Sequence, residues 1–502
     1  MTRVTRRDVL KALGAGSTLP MVACGGTTPH DDGLPVWSWD GPQGPPTTFE
    51  HGVASGDPHA DSVLLWTRVS RGALAAAFDA VEVFVEVSRD ATFTQRIAAF
   101  VATTDGTTDH CLTVEATELP AGTTLFYRFS ALGRTSPVGR TRTLPDGPTE
   151  RIRIGACSCS NFAFGYFYAY GHLAERDDVD VVLHLGDYVY EYANDGFGRT
   201  YGTFRDHEPD QEMVLLDDYR ARYASYRRDP DLQELHRQHP MIHIWDDHEF
   251  ANDPYIGGAD NHNEGKEGAW SARVVAALQA YREWMPTRLT NDNEIYRSFT
   301  FGDLAHLVML DRQRRFLWPE DGDDHYLGAR QSAWLSDQLR QTTQPWVLLG
   351  QGTAFGPRDK AGGGGASWDP ESRQDVLNDV ARGDAEELVV LTGDIHKFDA
   401  LDIVSEPDLY DGTGSGSAGV ELAVGSVTSP GFPSPTIEIP QFHWSDGLHR
   451  GYMLIDLQSD RLDAEAWGFF DVYKQDEERP DFTLLASFTC ERGSHHLERT
   501  DT

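Results

Sequence analysis

Apolar side chains occupy every second position at Val81, Val83, Val85 and Val87. This period sets one face of an extended strand against a core and the other toward water. Short alternating runs of this kind recur from about Phe49 to Pro145, broken by turn-rich gaps such as Ala121-Gly122-Thr123. That spacing predicts an antiparallel β-sandwich. No cluster of acid, base and nucleophile falls inside it, so it reads as scaffold. From Arg151 the pattern becomes one of continuous apolar runs with helical stretches between them: Ile152–Ala156, Val179–Leu185, Met241–Trp245, Leu304–Leu310, Trp346–Leu349 and Leu388–Leu391. These predict the buried strands of an α/β fold. Asp187, Asp246, Asp311, Gln351 and Asp394 closely follow five of them. In open α/β sheets the ligand crevice lies beyond the carboxyl ends of the strands, so these polar residues are expected to converge.

A chain of 502 residues exceeds what one hydrophobic core usually serves. The reading is therefore an N-terminal address over residues 1–24, a flexible linker over 25–48, a β-sandwich domain over 49–146 and a larger domain with a C-terminal extension over 147–502. A hydrophobic fraction of 39% excludes a disordered chain, and a formal net charge of −36 argues against a nucleic-acid partner, because such a surface repels phosphate backbones. A phosphate ligand then needs a local positive site, which bound cations provide. The five cysteines, Cys24, Cys111, Cys157, Cys159 and Cys490, are too few and too scattered for a disulfide framework.

Thr5-Arg6-Arg7-Asp8-Val9-Leu10-Lys11 precedes a modestly apolar stretch rich in Gly and Ala, Ala12 to Ala23. This resembles a twin-arginine signal, whose cargo is exported already folded by the twin-arginine machinery. Met21-Val22-Ala23-Cys24 looks like a lipobox, with Cys24 as the lipid-bearing residue. The expectation is a periplasmic or cell-surface protein, membrane-tethered through that lipid alone.

Three polar clusters stand at the ends of apolar runs. Gly186-Asp187-Tyr188-Val189-Tyr190-Glu191-Tyr192 sets a carboxylate just past a strand and a phenol three residues on. A carboxylate so placed can bridge two cations, and a phenolate is a hard oxygen ligand suited to ferric iron. Trp245-Asp246-Asp247-His248-Glu249 gathers carboxylates and an imidazole, and Thr392-Gly393-Asp394-Ile395-His396 repeats the theme. An acidic helix N-terminus accounts for one such motif, but the recurrence points to a polynuclear metal centre. Cys157-Ser158-Cys159 sits beyond the first strand of the domain. A thiolate there is either a transition-metal ligand or an inert buried thiol. The Gly362-Gly363-Gly364-Gly365 run lacks a following Lys-Ser/Thr and reads as a loop, with a phosphate cradle as the weaker alternative.

On these motifs the chain resembles the PhoD-type alkaline phosphatases, a family that includes related secreted phospholipases D. Phe49-Glu50-His51-Gly52-Val53-Ala54-Ser55-Gly56-Asp57-Pro58 and Leu64-Leu65-Trp66-Thr67-Arg68 are similar to the family's N-terminal sandwich, and Ser158-Cys159 to its Ser-Cys. The resemblance implies an α/β metallophosphoesterase sandwich behind an all-β, fibronectin- or immunoglobulin-like domain. It further implies ferric iron, Fe(3+), held by Cys159, Asp187, Tyr190 and His396. Beside it would sit calcium, Ca(2+), with Asp187 as the bridge and Asp246, Asp247 and Asp394 as its other ligands. Arg373, in Trp368-Asp369-Pro370-Glu371-Ser372-Arg373, matches a family arginine suited to clamping phosphate. The family's Leu-Asp-Thr-Arg run appears as Leu310-Asp311-Arg312-Gln313-Arg314-Arg315, which leaves its arginine unassigned.

The implied activity is hydrolysis of phosphate esters by water that cations have made acidic, with Asp187, His248 and Arg373 at the reacting centre. His248 either protonates the leaving alkoxide or orients a ligand carboxylate. Two competing readings follow: a phospholipase D-type phosphodiesterase acting on lipid headgroups or cell-wall polymers, and a calcium-binding surface lipoprotein without catalysis.

Overall fold

In a computed structural model of the protein, residues 2–3, 32–70, 72, 80–197, 205–290, 293–318, 326–358, 368–404, 410–431, 439–473 and 480–501 are described. The expected signal beyond Arg3, Cys24 with its lipobox, and Gly362–Gly365 lie outside them. The chain divides into two units. One runs to Leu144 and takes in His236–Pro240 and Glu283–Pro286, and the other comprises the remainder.

The first unit contains β1 (Val53–Gly56), β2 (Val63–Arg68), β3 (Ala80–Ser88), β4 (Arg96–Asp105), β5 (Cys111–Ala116), β6 (Thr124–Ala131) and β7 (Gly139–Arg142). β1, β2 and β5 form one antiparallel sheet, and β4, β3, β6 and β7 a second. Val81, Val83, Val85 and Val87 of β3 share a core with Val63, Leu65 and Val114 of the other sheet. The two-residue period of the valines thus becomes the inner face of a sandwich.

The second unit carries two sheets. Strands β8 (Arg151–Cys157), β9 (Val181–Leu185) and β10 (Pro240–Ile244) lie parallel. In the other sheet β11 (Arg297–Phe301) pairs antiparallel with β12 (Ala305–Met309), and β13 (Trp346–Gln351) and β14 (Glu387–Thr392) continue parallel to β12. β15 (Phe398–Val404), β16 (Ser417–Ala423) and β17 (Phe442–Asp446) complete it, β16 beside β14 and β15 between β16 and β17. β18 (Arg450–Gln458) returns antiparallel to β8, followed by β19 (Arg461–Phe469) and β20 (Thr483–Glu491). Each of the six apolar runs read from the sequence coincides with a strand, from β8 to β14.

Helices cover the second sheet. α1 (Ala329–Gln341) and α2 (Pro370–Val380) place Leu335, Leu339, Val376, Leu377 and Val380 on Val347, Leu349, Leu388 and Val390. α2 starts where Asp369 accepts a hydrogen bond from Ser372 N and proline supplies the first turn, a favourable pairing at a helix N-terminus. Among the described residues no helix is long and apolar enough to cross a membrane.

The two sheets come together at the carboxyl ends of β8, β9, β10, β13 and β14. A Cβ on Gly393 would lie 2.6 Å from Leu185 O and 3.2 Å from Ser158 Cβ, and Val427 N donates to Ser158 O at 2.9 Å. The turns that carry Ser158, Asp187 and Asp394 therefore lie against one another.

Candidate metal centre

Each strand ends there in a sharp turn. Cys159, Asp187, Asp394 and His396 adopt left-handed backbone angles, with φ of 59°, 55°, 64° and 54°. Such angles strain a residue with a Cβ by about 1–3 kcal/mol, and strain of this kind collects at functional sites. Hydrogen bonds fix the turns: Cys159 N donates to Gly186 O at 3.2 Å, and Ser160 N to Asp187 O at 2.9 Å. The Glu249 carboxylate holds two loops together, accepting from Asp187 N at 3.1 Å, Tyr188 N at 2.5 Å and Asp246 N at 2.7 Å.

Asp187 stands at the junction of two donor sets. In the first, its Oδ2 lies 3.6 Å from Cys159 Sγ and accepts from Tyr190 OH at 3.1 Å; Tyr190 OH in turn lies 3.1 Å from His396 Nε2. His396 Nδ1 meets Pro430 O at 3.0 Å, which directs Nε2 inward. In the second, ligand atoms of Asp187, Asp246, Asp247 and Asp394 lie within 4.8 Å of one another. A nitrogen of His248 joins Asp187 and Asp247 at the same limit, and its Nδ1 is 2.8 Å from Glu191 Oε2. Glu191 Oε1 is shared by Asn252 N and Asn261 Nδ2.

Burial at so many acids is costly without compensating charge. It pushes the Asp187 and Asp246 carboxyls far above their usual range, helped by the neighbouring carboxylates, and Asp394 up to about 7. The Cys159 thiol and Tyr190 phenol also rise, through burial first and then the Asp187 charge. Burial lowers His396 to about 3, so its ring is a neutral donor. Burial also opposes charge on His248, but Asp247, Glu191 and Asp187 outweigh it and favour the imidazolium.

Asp187 Oδ1 and Asp246 Oδ2 are buried without hydrogen-bond partners. Orphaned carboxylate oxygens in a cluster of acids fit bound cations. The donor chemistry divides accordingly: sulfur, phenol, imidazole and carboxylate suit a transition metal, and an all-carboxylate set suits a hard cation.

Cys159, Asp187, Tyr190, His248, His396, Asp246, Asp247 and Asp394 are thus brought together. Cys157 is not: its Sγ faces Leu183 O at 3.6 Å, and burial raises its thiol. Asp311 and Gln351 serve as anchors, taking the indole N–H of Trp245 and of Trp368, each at 2.7 Å. Arg373 directs Nη1 at Phe355 O and Trp368 O, at 3.4 and 3.5 Å, and no described contact links it to the carboxylates. Arg312 is a guanidinium that acts on the acids of the cluster. Its charge pulls against the upward shifts of Asp246 and Asp394, and its buried Nε has no hydrogen-bond partner. Gln313, next in the chain, donates to Asp246 Oδ1.

Glu249, Glu191 and Gly352 were not assigned from the sequence. The Asp246-x-x-Glu249 spacing is a capping-box signature and was the available signal for Glu249. Gly352 has no local signal, because its role is to leave room: a Cβ there would meet Asp246 Oδ2 at 2.1 Å. Gly352→Ala is therefore expected to keep the fold but displace Asp246. A misplacement of this size costs on the order of 10²-fold in kcat/KM, to be checked by kinetics beside a circular dichroism spectrum.

The site belongs to a chain with clear relatives. Residues 154–466 match the model of the PhoD-like phosphatase family, and residues 37–145 match that of the PhoD-like phosphatase N-terminal domain. Alkaline phosphatase D of Bacillus subtilis (strain 168) is 33% identical over 417 residues, covering 76% of this chain and 70% of the relative. A solved structure titled as that of PhoD superposes with a TM-score of 0.82 at 30% identity, covering 92% of this chain and 94% of the other.

Proposed function

The chain belongs to the PhoD-like phosphatase family, and on that premise we propose how it works as a metal-dependent phosphoric ester hydrolase. Ferric iron is assigned to Cys159, Asp187, Tyr190 and His396, and calcium to Asp187, Asp246, Asp247 and Asp394. The observation that carries this reading is the position of Asp187, whose carboxylate belongs to the sulfur- and nitrogen-bearing set and to the all-oxygen set. When bound, cations there supply positive charge for phosphate oxygens and make water more acidic.

The chain's own residues do the rest. Arg312, half-buried beside the acids, pairs with a phosphoryl oxygen and holds the ester in place. Water attacks phosphorus as the bond to the ester oxygen breaks, and the proton the water gives up passes to solvent. His248, fixed by the Glu191 carboxylate, gives its proton to the leaving alkoxide. The thiol and phenol serve in this reading only to hold iron.

Export through the twin-arginine route is part of the proposal, supported by Arg6-Arg7 and the apolar stretch after them. A lipid on Cys24 would hold the enzyme at the membrane. Folded export suits a site that gathers its metals from strands far apart in sequence.

Turnover of an aryl phosphate monoester, an aryl phosphate diester and phosphatidylcholine, with iron and calcium present, tests the reading. Hydrolysis of an aryl ester is expected; a preference for the phospholipid indicates a phospholipase D-type role, and no turnover of any of the three overturns the proposal. Arg312→Ala is expected to lower kcat/KM on the order of 10²-fold, the scale for losing one donor to a charged transition state. Arg373→Ala, measured beside it, is expected to change KM far less.

A further inference from the structure

A second constellation lies in the larger unit, apart from the acids described above. Asp402 of β15, His443 of β17 and His496 of the C-terminal segment bring one carboxylate oxygen and two ring nitrogens within 4.8 Å of one another. Asp402 lies on β15, four residues past its start at Phe398, about 13 Å along the strand at ~3.3 Å per residue. We propose that Asp402, His443 and His496 form a binding site for a zinc-class divalent cation, which ties the C-terminal segment to the sheet.

The site draws on three segments far apart in sequence, so local chain geometry does not explain the meeting. Asp402 Oδ2 lies 2.7 Å from His496 Nδ1 and 3.0 Å from His443 Nε2, and it accepts a hydrogen bond from Tyr410 OH. Three groups crowd one oxygen, more than its lone pairs serve well. His443 Nε2 is buried, and its contact with Asp402 is among those that lower the Asp402 carboxyl against the effect of burial.

The donor types select the ion. Two imidazoles and a carboxylate are a zinc-type set, and calcium or magnesium would favour oxygens alone. Bonds of about 2.0–2.1 Å in a tetrahedron separate ligands by roughly 3.3 Å. The observed 2.7 and 3.0 Å approach this. The surroundings hold the ligands: Leu497 N donates to Asp402 Oδ1 at 3.0 Å, and Gly414 N to Tyr410 OH at 2.8 Å. Support of this kind orients metal ligands. Asp402 is fully buried, whereas the His443 and His496 side chains keep 15% and 21% of their surface exposed, which gives an ion a path in.

The test uses the full chain, freed of metal by dialysis and titrated with zinc against a chromophoric chelator. Wild type and Asp187→Asn are each expected to bind one zinc per chain at this site, and zinc is expected to raise Tm. His443→Gln and His496→Gln are expected to weaken that binding by at least 100-fold and to lose the Tm shift. Both should retain aryl phosphate hydrolysis once iron and calcium are restored. His495→Gln, which alters a neighbouring ring bonded to Glu387, should bind zinc like wild type. The proposal is overturned if wild type binds no zinc beyond what Asp187→Asn removes, or if both glutamine variants bind it as wild type does.

Discussion

Asp187→Asn is expected to reduce phosphate ester hydrolysis by at least about 10³-fold, equivalent to ~4 kcal/mol of transition-state stabilisation. The substitution changes one carboxylate oxygen to an amide nitrogen and leaves the volume of the buried residue the same. It removes the charge shared by the two donor sets and presents N–H groups to Cys159 and Tyr190, where an acceptor stood. Stability should not suffer, because the carboxyl is held well above its ordinary pKa by burial and by its acidic neighbours. A neutral amide relieves that repulsion in the metal-free protein. An inactive variant with unchanged or raised Tm is the expected pair of results; a variant retaining a tenth of wild-type activity excludes Asp187 from the centre of the reaction.

Removal of metal is expected to make stability depend strongly on pH. Asp187 and Asp246 are displaced upward, and Asp394 sits at about 7. A carboxyl whose pKa is higher in the folded state binds its proton more tightly when folded. Below about 4, the ordinary carboxyl value, both states are protonated and these groups have no effect on stability. As pH rises from 4 through 7 the unfolded chain ionises first and the folded protein loses stability, a loss complete above the folded pKa. Bound cations reverse this by favouring the ionised carboxylates. The Tm gap between loaded and stripped protein should therefore widen from pH 5 to pH 8 by at least about 5 °C, given roughly 2–4 °C per kcal/mol in large domains. A gap that is constant or narrows toward pH 8 contradicts cation binding at these acids.

The strands were legible in the sequence because burial on both faces leaves a continuous apolar run, as at Val181–Leu185, and burial on one face leaves alternation, as at Val81–Val87. The convergence of Asp187, Asp246 and Asp394 followed from their place at carboxyl ends. The choice between Cys157 and Cys159 rested on resemblance; the structure separates them by local conformation, since Cys157 still belongs to β8 and Cys159 lies in the left-handed turn beyond it. The strands from Phe398 to Glu491 were not delimited. β19 alternates buried with half-buried positions, and its outward side chains include Trp467 as well as Glu465 and Asp463, which blurs the contrast that a sequence pattern needs. Arg312 was hidden among three nearby arginines whose chemistry is the same. Only placement tells them apart, as Arg312 acts on Asp246 and Asp394 while Arg314 is ion-paired with Glu294.

Direct measurement of bound metal in the purified full-length protein, by inductively coupled plasma mass spectrometry with the visible spectrum recorded alongside, tests the central claim. About one iron per chain is expected, with calcium beside it and a tyrosinate-to-iron absorption band. Cys159→Ser and Asp187→Asn should lose the iron and the band together with hydrolysis. Wild-type protein that hydrolyses phosphate esters at full rate with no metal bound would contradict the account.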